Sequence, residues 1–180
     1  MKNFKLLPLV SLLLSMLLFG CGGGNGQALP QKTAVMTFGV TSTARLTAPI
    51  NGIKVVAQLP PGVTVATDPA DPRILVVGPT GLTGIKTSAS VPFARYSASV
   101  RQVIFDVNDS SGDQSGIGLG DFARLTCSVN QGTTLTENDF ITLNTPLPKF
   151  SVFGFDPNAV VNPVDLTSKI RSTLKVTFGF

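Results

Sequence analysis

"IKVVAQL", residues 53–59, puts Ile53, Val55, Ala57 and Leu59 at odd positions, with Lys54 and Gln58 between them. A period of two marks a strand with one buried face, because successive side chains leave a strand on opposite sides. The same rhythm runs through "FARLTCSV" (122–129), where Ala123, Leu125, Cys127 and Val129 share one parity and Arg124, Thr126 and Ser128 the other. It returns in "TLKVTFGF" (173–180), which sets Leu174, Val176, Phe178 and Phe180 against Lys175 and Thr177. Further strand candidates are 34–40, 62–67, 74–78, 99–107, 140–143 and 150–155. Between the candidates stand "PPG", "DPADP", "GPTG", "NDSSGD", "NQG" and "DPNAVVNP", rich in the residues that turns need.

Many short strands with one alternating face predict an all-β fold, a two-layer antiparallel β-sandwich of jelly-roll type with about nine strands. The exception is "NPVDLTSKIRS" (162–172), where Asp165 or Thr167 is placed to cap a single helical turn. A short helical turn is therefore the most helix expected. The first and last strand candidates both carry the alternating pattern, which places the two ends in one body.

The chain opens with Lys2 and Lys5, an apolar run from Leu6 to Phe19 and a small residue, Gly20, followed by Cys21. A positive end, a short greasy centre and a small residue at the cut are the parts of a secretory signal. The run falls short of the roughly 20 residues that a membrane span needs. "GGGNGQALPQK" (22–32) follows, and glycine-rich chain behaves as a flexible tether. The expected organisation is a signal peptide over 1–20, a tether over 21–32 and one domain over 33–180, since what remains after the signal suffices for one sizeable core.

Leu18, Phe19, Gly20 and Cys21 resemble the lipobox of bacterial lipoproteins: a leucine, two further mostly small residues and the cysteine. Phe19 is bulkier than the usual occupant. The resemblance implies cleavage after Gly20, a diacylglyceryl group on the Cys21 thiol and acylation of the new amino end. Several acyl chains, at about 0.8 kcal/mol per buried methylene, anchor far better than one. Gly22 stands where an aspartate would favour retention at the inner membrane, so the resemblance implies the outer membrane of the cell envelope.

Composition narrows the chemistry. The full chain carries a net charge of +4, which falls to +2 when Lys2 and Lys5 leave with the signal. Arg45, Lys54, Arg73, Lys86, Arg95, Arg101 and Arg124 are scattered singly, where a nucleic-acid interface would cluster them, so no nucleic-acid partner is expected. There is no histidine, which removes Ser-His-Asp and Cys-His catalysis and histidine metal sites. The acids Asp68, Asp71, Asp106, Asp109, Asp113, Asp121, Glu137, Asp139, Asp156 and Asp165 nearly all adjoin Gly, Pro, Asn or Ser, and turn chemistry explains them without a reaction.

"DVNDSSGDQSG" (106–116) opens like a calcium loop, but positions five, six and twelve hold Ser110, Ser111 and Ile117 where a ligand, a glycine and a glutamate belong. A looser site through Asp109 and Asp113 is the alternative to a solvated loop. No metal and no cofactor are expected. With Cys21 modified, Cys127 has no partner within the chain, and its parity predicts a small buried hydrophobe. A sugar platform wants exposed rings, yet the chain has no tryptophan and one tyrosine, Tyr96. Phe105, Phe178 and Phe180 fall on apolar faces and are read as core, which leaves Phe150, Phe153 and Phe155 as candidate exposed rings.

"INGIKVVAQLPPGVTV" (50–65) is similar to the early strand pair of cohesin-like domains, in which "Ile-x-Gly-Ile" runs through a proline-glycine turn into "Gly-Val-Thr-Val". In "VRQVIFDVNDSSGDQSGIGLGDFARLTCSV" (100–129), Gly120, Phe122, Ala123, Leu125, Thr126 and Val129 fit a later signature of those domains, with Cys127 in place of the usual aromatic. The resemblance covers residues 34–180 in segment order. It implies a nine-stranded jelly-roll sandwich, shared with a group of carbohydrate-binding modules, and a binding module in place of a catalyst. Cohesins bind dockerin domains through one sheet face; no partner-contacting residue matches here, so the resemblance implies no dockerin.

The expectation is a lipoprotein, not an enzyme, anchored to the membrane through Cys21 and presenting a sheet face or loop end to an envelope or extracellular protein. The alternatives are a polysaccharide-binding module and a passive subunit of an envelope assembly.

Overall fold

The computed structural model describes residues 32–86, 88–111, 115–145 and 149–179. The signal with its cut at Gly20, the lipid site Cys21 and the tether up to residue 31 lie outside the described residues, as do Asp113 and Phe180. Lys32, expected in the tether, is the first residue of a strand.

Ten strands are described: β1 (Lys32–Ser42), β2 (Ile50–Gln58), β3 (Val63–Val65), β4 (Leu82–Gly84), β5 (Ala89–Ser97), β6 (Gln102–Asp109), β7 (Gly120–Val129), β8 (Lys149–Gly154), β9 (Val164–Asp165) and β10 (Ile170–Gly179). They form two antiparallel sheets of five. Sheet A runs β10-β1-β7-β3, with β4 also paired to β7, and sheet B runs β5-β6-β2-β8-β9. The chain alternates between layers, β1 in one, β2 in the other, β3 and β4 back, which closes the two sheets into a sandwich. β1 and β10 pair from Thr33–Gly179 to Ser42–Ile170, so the two ends, expected in one body, are neighbours in one sheet.

The alternating faces meet in the core. Ala34, Met36, Phe38 and Val40 from β1 and Leu125 and Cys127 from β7 face Ile53, Val55 and Ala57 from β2 and Val103, Phe105 and Val107 from β6, all buried. Phe38 and Phe105 meet edge to face across the layers, ring centroids 5.1 Å apart, a preferred aromatic geometry.

The expected strand at 140–143 is instead the second half of helix α1 (Glu137–Leu143). Thr136 and Asp139 explain it: the Thr136 backbone N–H and hydroxyl both donate to the Asp139 carboxylate, at 2.7 and 2.8 Å, fixing the first turn. Phe140 then drops into the core as the helix's buried residue. A two-turn helix is thus more than the single turn expected. The turn expected at 162–172 is a 3-10 turn, Thr167–Lys169, and Asp165 accepts the Thr167 N–H at 2.8 Å.

The segment 74–78, also expected as a strand, makes only isolated bridges. Its donors go to different partners: Leu75 N–H to the Ala94 carbonyl of β5, Val76 N–H to Ala66 beside β3. It is a strap joining the two layers at one side. β5 escaped the pattern because Pro92 sits at a register break between Ser90 and Phe93, tolerated on an edge strand where no ladder donor is lost.

Where β8 stops, Asn144 takes its place. The Gln58 N–H donates to Asn144 Oδ1 (2.8 Å), and Asn144 Nδ2 donates to the Gln58 carbonyl (2.9 Å) and to the Phe140 carbonyl (2.8 Å). One buried amide thus satisfies both main-chain groups at the end of β2 and caps α1, a requirement for buried backbone.

Candidate interaction face

The outer surface of sheet B is built by register. Arg95 lies opposite Ile104, Ile104 opposite Val56, and Val56 opposite Lys149. The strap extends the row, since Ile74 bridges to Arg95. The row Ile74, Arg95, Ile104, Val56, Lys149 therefore crosses the face with an apolar centre and a cation on either side. The neighbouring row is Phe93, Asp106, Lys54, Ser151. Ile74 and Phe93 are 41% and 38% exposed, and the Arg95 guanidinium lies over the Phe93 ring, 5.5 Å from its centroid. Such a contact keeps the cation in water while shielding part of the ring.

Asp106 has one carboxylate oxygen that is buried without a hydrogen-bond partner, on the row between Phe93 and Lys54. Phe153, half-buried, stands on β8 beside Gly52, roughly three strand spacings or ~14 Å across the face from Phe93. At the β5 side a cleft of about 440 Å³ is lined by Arg73, Arg95, Tyr96, Gln102 and Ile104. Burial pushes the Tyr96 phenol up.

The remaining candidates fall elsewhere. Cys127 is buried in the core, as its parity foretold, and desolvation pushes its thiol up to about 12. Phe105 is core, but Phe178, expected there too, is 40% exposed and leans on Phe140 with centroids 6.0 Å apart. Phe150 and Phe155 are half-buried and lie outside the two rows. The acids serve local structure: Asp68 accepts the Ala70 N–H, Asp109 the Ser111 and Gly116 N–H groups, and Asp156 the Asn158 N–H. Asp71 is held at about 2, chiefly by the side-chain hydrogen bond from Arg73 and then by its backbone N–H. Asp121 pairs with Lys175 at 3.3 Å, and Glu137 accepts the Val176 N–H at 3.3 Å. Among the described residues no three potential ligands group to hold a metal, and no helix is long and apolar enough to cross a membrane.

Reading by parity alone passed over Ile104 and Val56. Both carry a signal: each is apolar at a position where its own strand's alternation calls for a polar residue, Ile104 between Val103 and Phe105, Val56 between Lys54 and Gln58. Two such exceptions in segments that pair become a patch.

Comparison of the chain with protein-family models, curated proteins and solved structures finds no match.

Proposed function

We propose that this protein is an outer-membrane lipoprotein, held through Cys21, whose sandwich is a non-catalytic, cohesin-like module that binds another protein of the envelope or exterior through the outer face of sheet B. The observation that carries the reading is the half-buried apolar pair Ile104 and Val56 on this face, with Arg95 and Lys149 on either side, Lys54 on the neighbouring row and the exposed Ile74 and Phe93 beyond. Apolar groups left in contact with water cost free energy in the isolated chain, and apolar residues interspersed with and rimmed by charge suit a docking surface whose partner is away. The complementary surface has an apolar centre and an acidic rim.

The test is capture from detergent-solubilised membranes with the full-length protein as bait. Proteins retained by the parent and lost with the Val56→Asp/Ile104→Asp double variant, yet kept by Thr37→Asp on the opposite face, support this reading. An identical set from all three baits sinks it. The anchor has its own test: Cys21→Ser is expected to move the protein from the membrane fraction to the soluble one, and unchanged membrane abundance places the attachment elsewhere.

Polysaccharide is the second reading, supported by Phe93 and Phe153 on one face and by Tyr96 and Gln102 in the adjoining cleft. Retention on a polysaccharide column that is lost with Phe93→Ala would favour it.

A further inference from the structure

The sheet edges are treated differently. At β5 the strap closes the edge, with Tyr96 N–H donating to the Arg73 carbonyl and Leu75 N–H to Ala94. Beside β7, the short β3 and β4 share the edge and the strap again bonds there, Val76 N–H to Ala66. β9 is two residues long. β10 is a ten-residue strand with β1 as its neighbour on one side and no strand on the other among the described residues.

The ladder fixes which β10 groups point outward. Thr43 N–H donates to the Lys169 carbonyl, so odd residues bond toward β1, and the even series, Ser172, Leu174 and Val176, turns its main-chain groups away. Val176 N–H is taken by Glu137, which ends the open stretch at one side; the Thr167–Lys169 turn ends it at the other. The Ile170 N–H is taken by the Thr167 carbonyl, so the open main-chain groups are the Ile170 carbonyl and those of Ser172 and Leu174. Beside them runs a groove of about 470 Å³ lined by Ile141, Thr145, Phe150, Ile170 and Ser172. Ser172 is 5% exposed, and its hydroxyl has no hydrogen-bond partner. A buried, unpaired hydroxyl costs about 1–3 kcal/mol, so it points to a missing neighbour.

We infer that β10 pairs with β10 of a second copy of this chain, antiparallel, about a two-fold axis at Ser172. The stretch Ile-Arg-Ser-Thr-Leu is complementary to itself in that register. Ser172 meets Ser172 of the second copy as a hydrogen-bonded pair, with Cα atoms about 5.5 Å apart and the two orphaned hydroxyls side by side. Ile170 meets Leu174 of the second copy on the buried side, extending both cores, and Arg171 meets Thr173 on the outer side, so no like charges oppose one another within the stretch. Lys175, beyond it, is held by Asp121, and Lys169 donates to Thr47. Sheet A becomes continuous through two subunits by an isologous contact, which closes on itself and does not propagate. The inference is independent of what the outer face of sheet B binds.

Cross-linking of the full-length protein in membranes tests it. Cys21 and Cys127 are present in the parent, which supplies the background, and Cys127 is buried. With Ser172→Cys, copper phenanthroline as oxidant is expected to give a disulfide-linked species of twice the chain mass as the major product. The register predicts that Arg171→Cys and Thr173→Cys join each other when co-expressed and join poorly alone. Light scattering on the unmutated protein in detergent covers failure of a variant to fold: a dimer is expected. A single-chain mass at every concentration overturns the inference, as does Ser172→Cys cross-linking to a different protein, which would give the edge to a foreign strand.

Discussion

The outer faces of the two sheets obey opposite rules. On sheet A, Thr33, Thr37, Thr126, Ser128, Thr173 and Thr177 line the surface, with Val35 as the apolar member among them. Threonine fits a pleated strand as well as valine does while leaving a hydroxyl for water, so this face is suited to standing in solvent. Sheet B could have been finished the same way. Ile104 and Val56 occupy places where threonine would serve the strand, and Ile74 and Phe93 lengthen the apolar surface beyond them. The inner faces are interchangeable in chemistry because both fill one core; the outer faces differ because packing no longer dictates them, and the proposed docking role is what would account for the apolar residues kept on sheet B.

The sharpest way to test the contrast uses neighbours on β6. Phe105→Ala should destabilise by about 3–5 kcal/mol through a cavity beside Phe38. Ile104→Thr, which makes sheet B resemble sheet A, should stay within about 1 kcal/mol and remove partner capture. Urea unfolding of both measures it, and equal losses would mean the outer face is itself part of the core. Next in size, Asn144→Ala leaves the part-buried main-chain groups of Gln58 without their side-chain partner and should cost about 2 kcal/mol by the same assay.

Acid gives a smaller and graded effect. The carboxyls of Asp71, Asp139 and Asp165 all lie below their ordinary 3.8, through hydrogen bonds from Arg73, Thr136 and Thr167 respectively. A depressed carboxyl binds its proton more weakly when folded, so its stabilisation is complete above the unfolded value and disappears as pH falls through the folded one. Melting temperature should be level above the ordinary carboxylate range and decline toward pH 2, with Asp71→Asn shallower at the acid end; a midpoint unmoved between pH 5 and pH 2 contradicts this. The smallest change is chemical: Cys127 should resist iodoacetamide at pH 8 in the folded protein and react once urea exposes it, since burial holds its thiol at about 12.

Alternation made the sandwich legible: 53–59 and 122–129 bury the residues their parity assigns, and the terminal segment does so through Leu174 and Val176. It failed where hydrogen bonding outside the strands decides structure. "TENDF" (136–140) contains the Thr-x-x-Asp start of a helix, and four residues of apparent strand after it could not outweigh that cap. The strap at 74–78 has strand composition but divides its donors between two sheets, which composition does not reveal. The candidate face was half legible: misplaced apolar residues are visible in each segment, but only the pairing of β2 with β6 brings Val56 against Ile104. Nothing in the alternation distinguishes Ser172, whose small side chain reads as filler until its hydroxyl is seen without a partner.

The place of β1 has a mechanical consequence. Its eleven residues lie between β10 and β7, paired along nearly their whole length on both sides. A load applied to β1 along its own axis would strain both ladders together, in shear, instead of opening their hydrogen bonds one at a time. β1 is thereby the strand of sheet A fastened on both sides over the most residues, and the last of its strands to come loose under such a load.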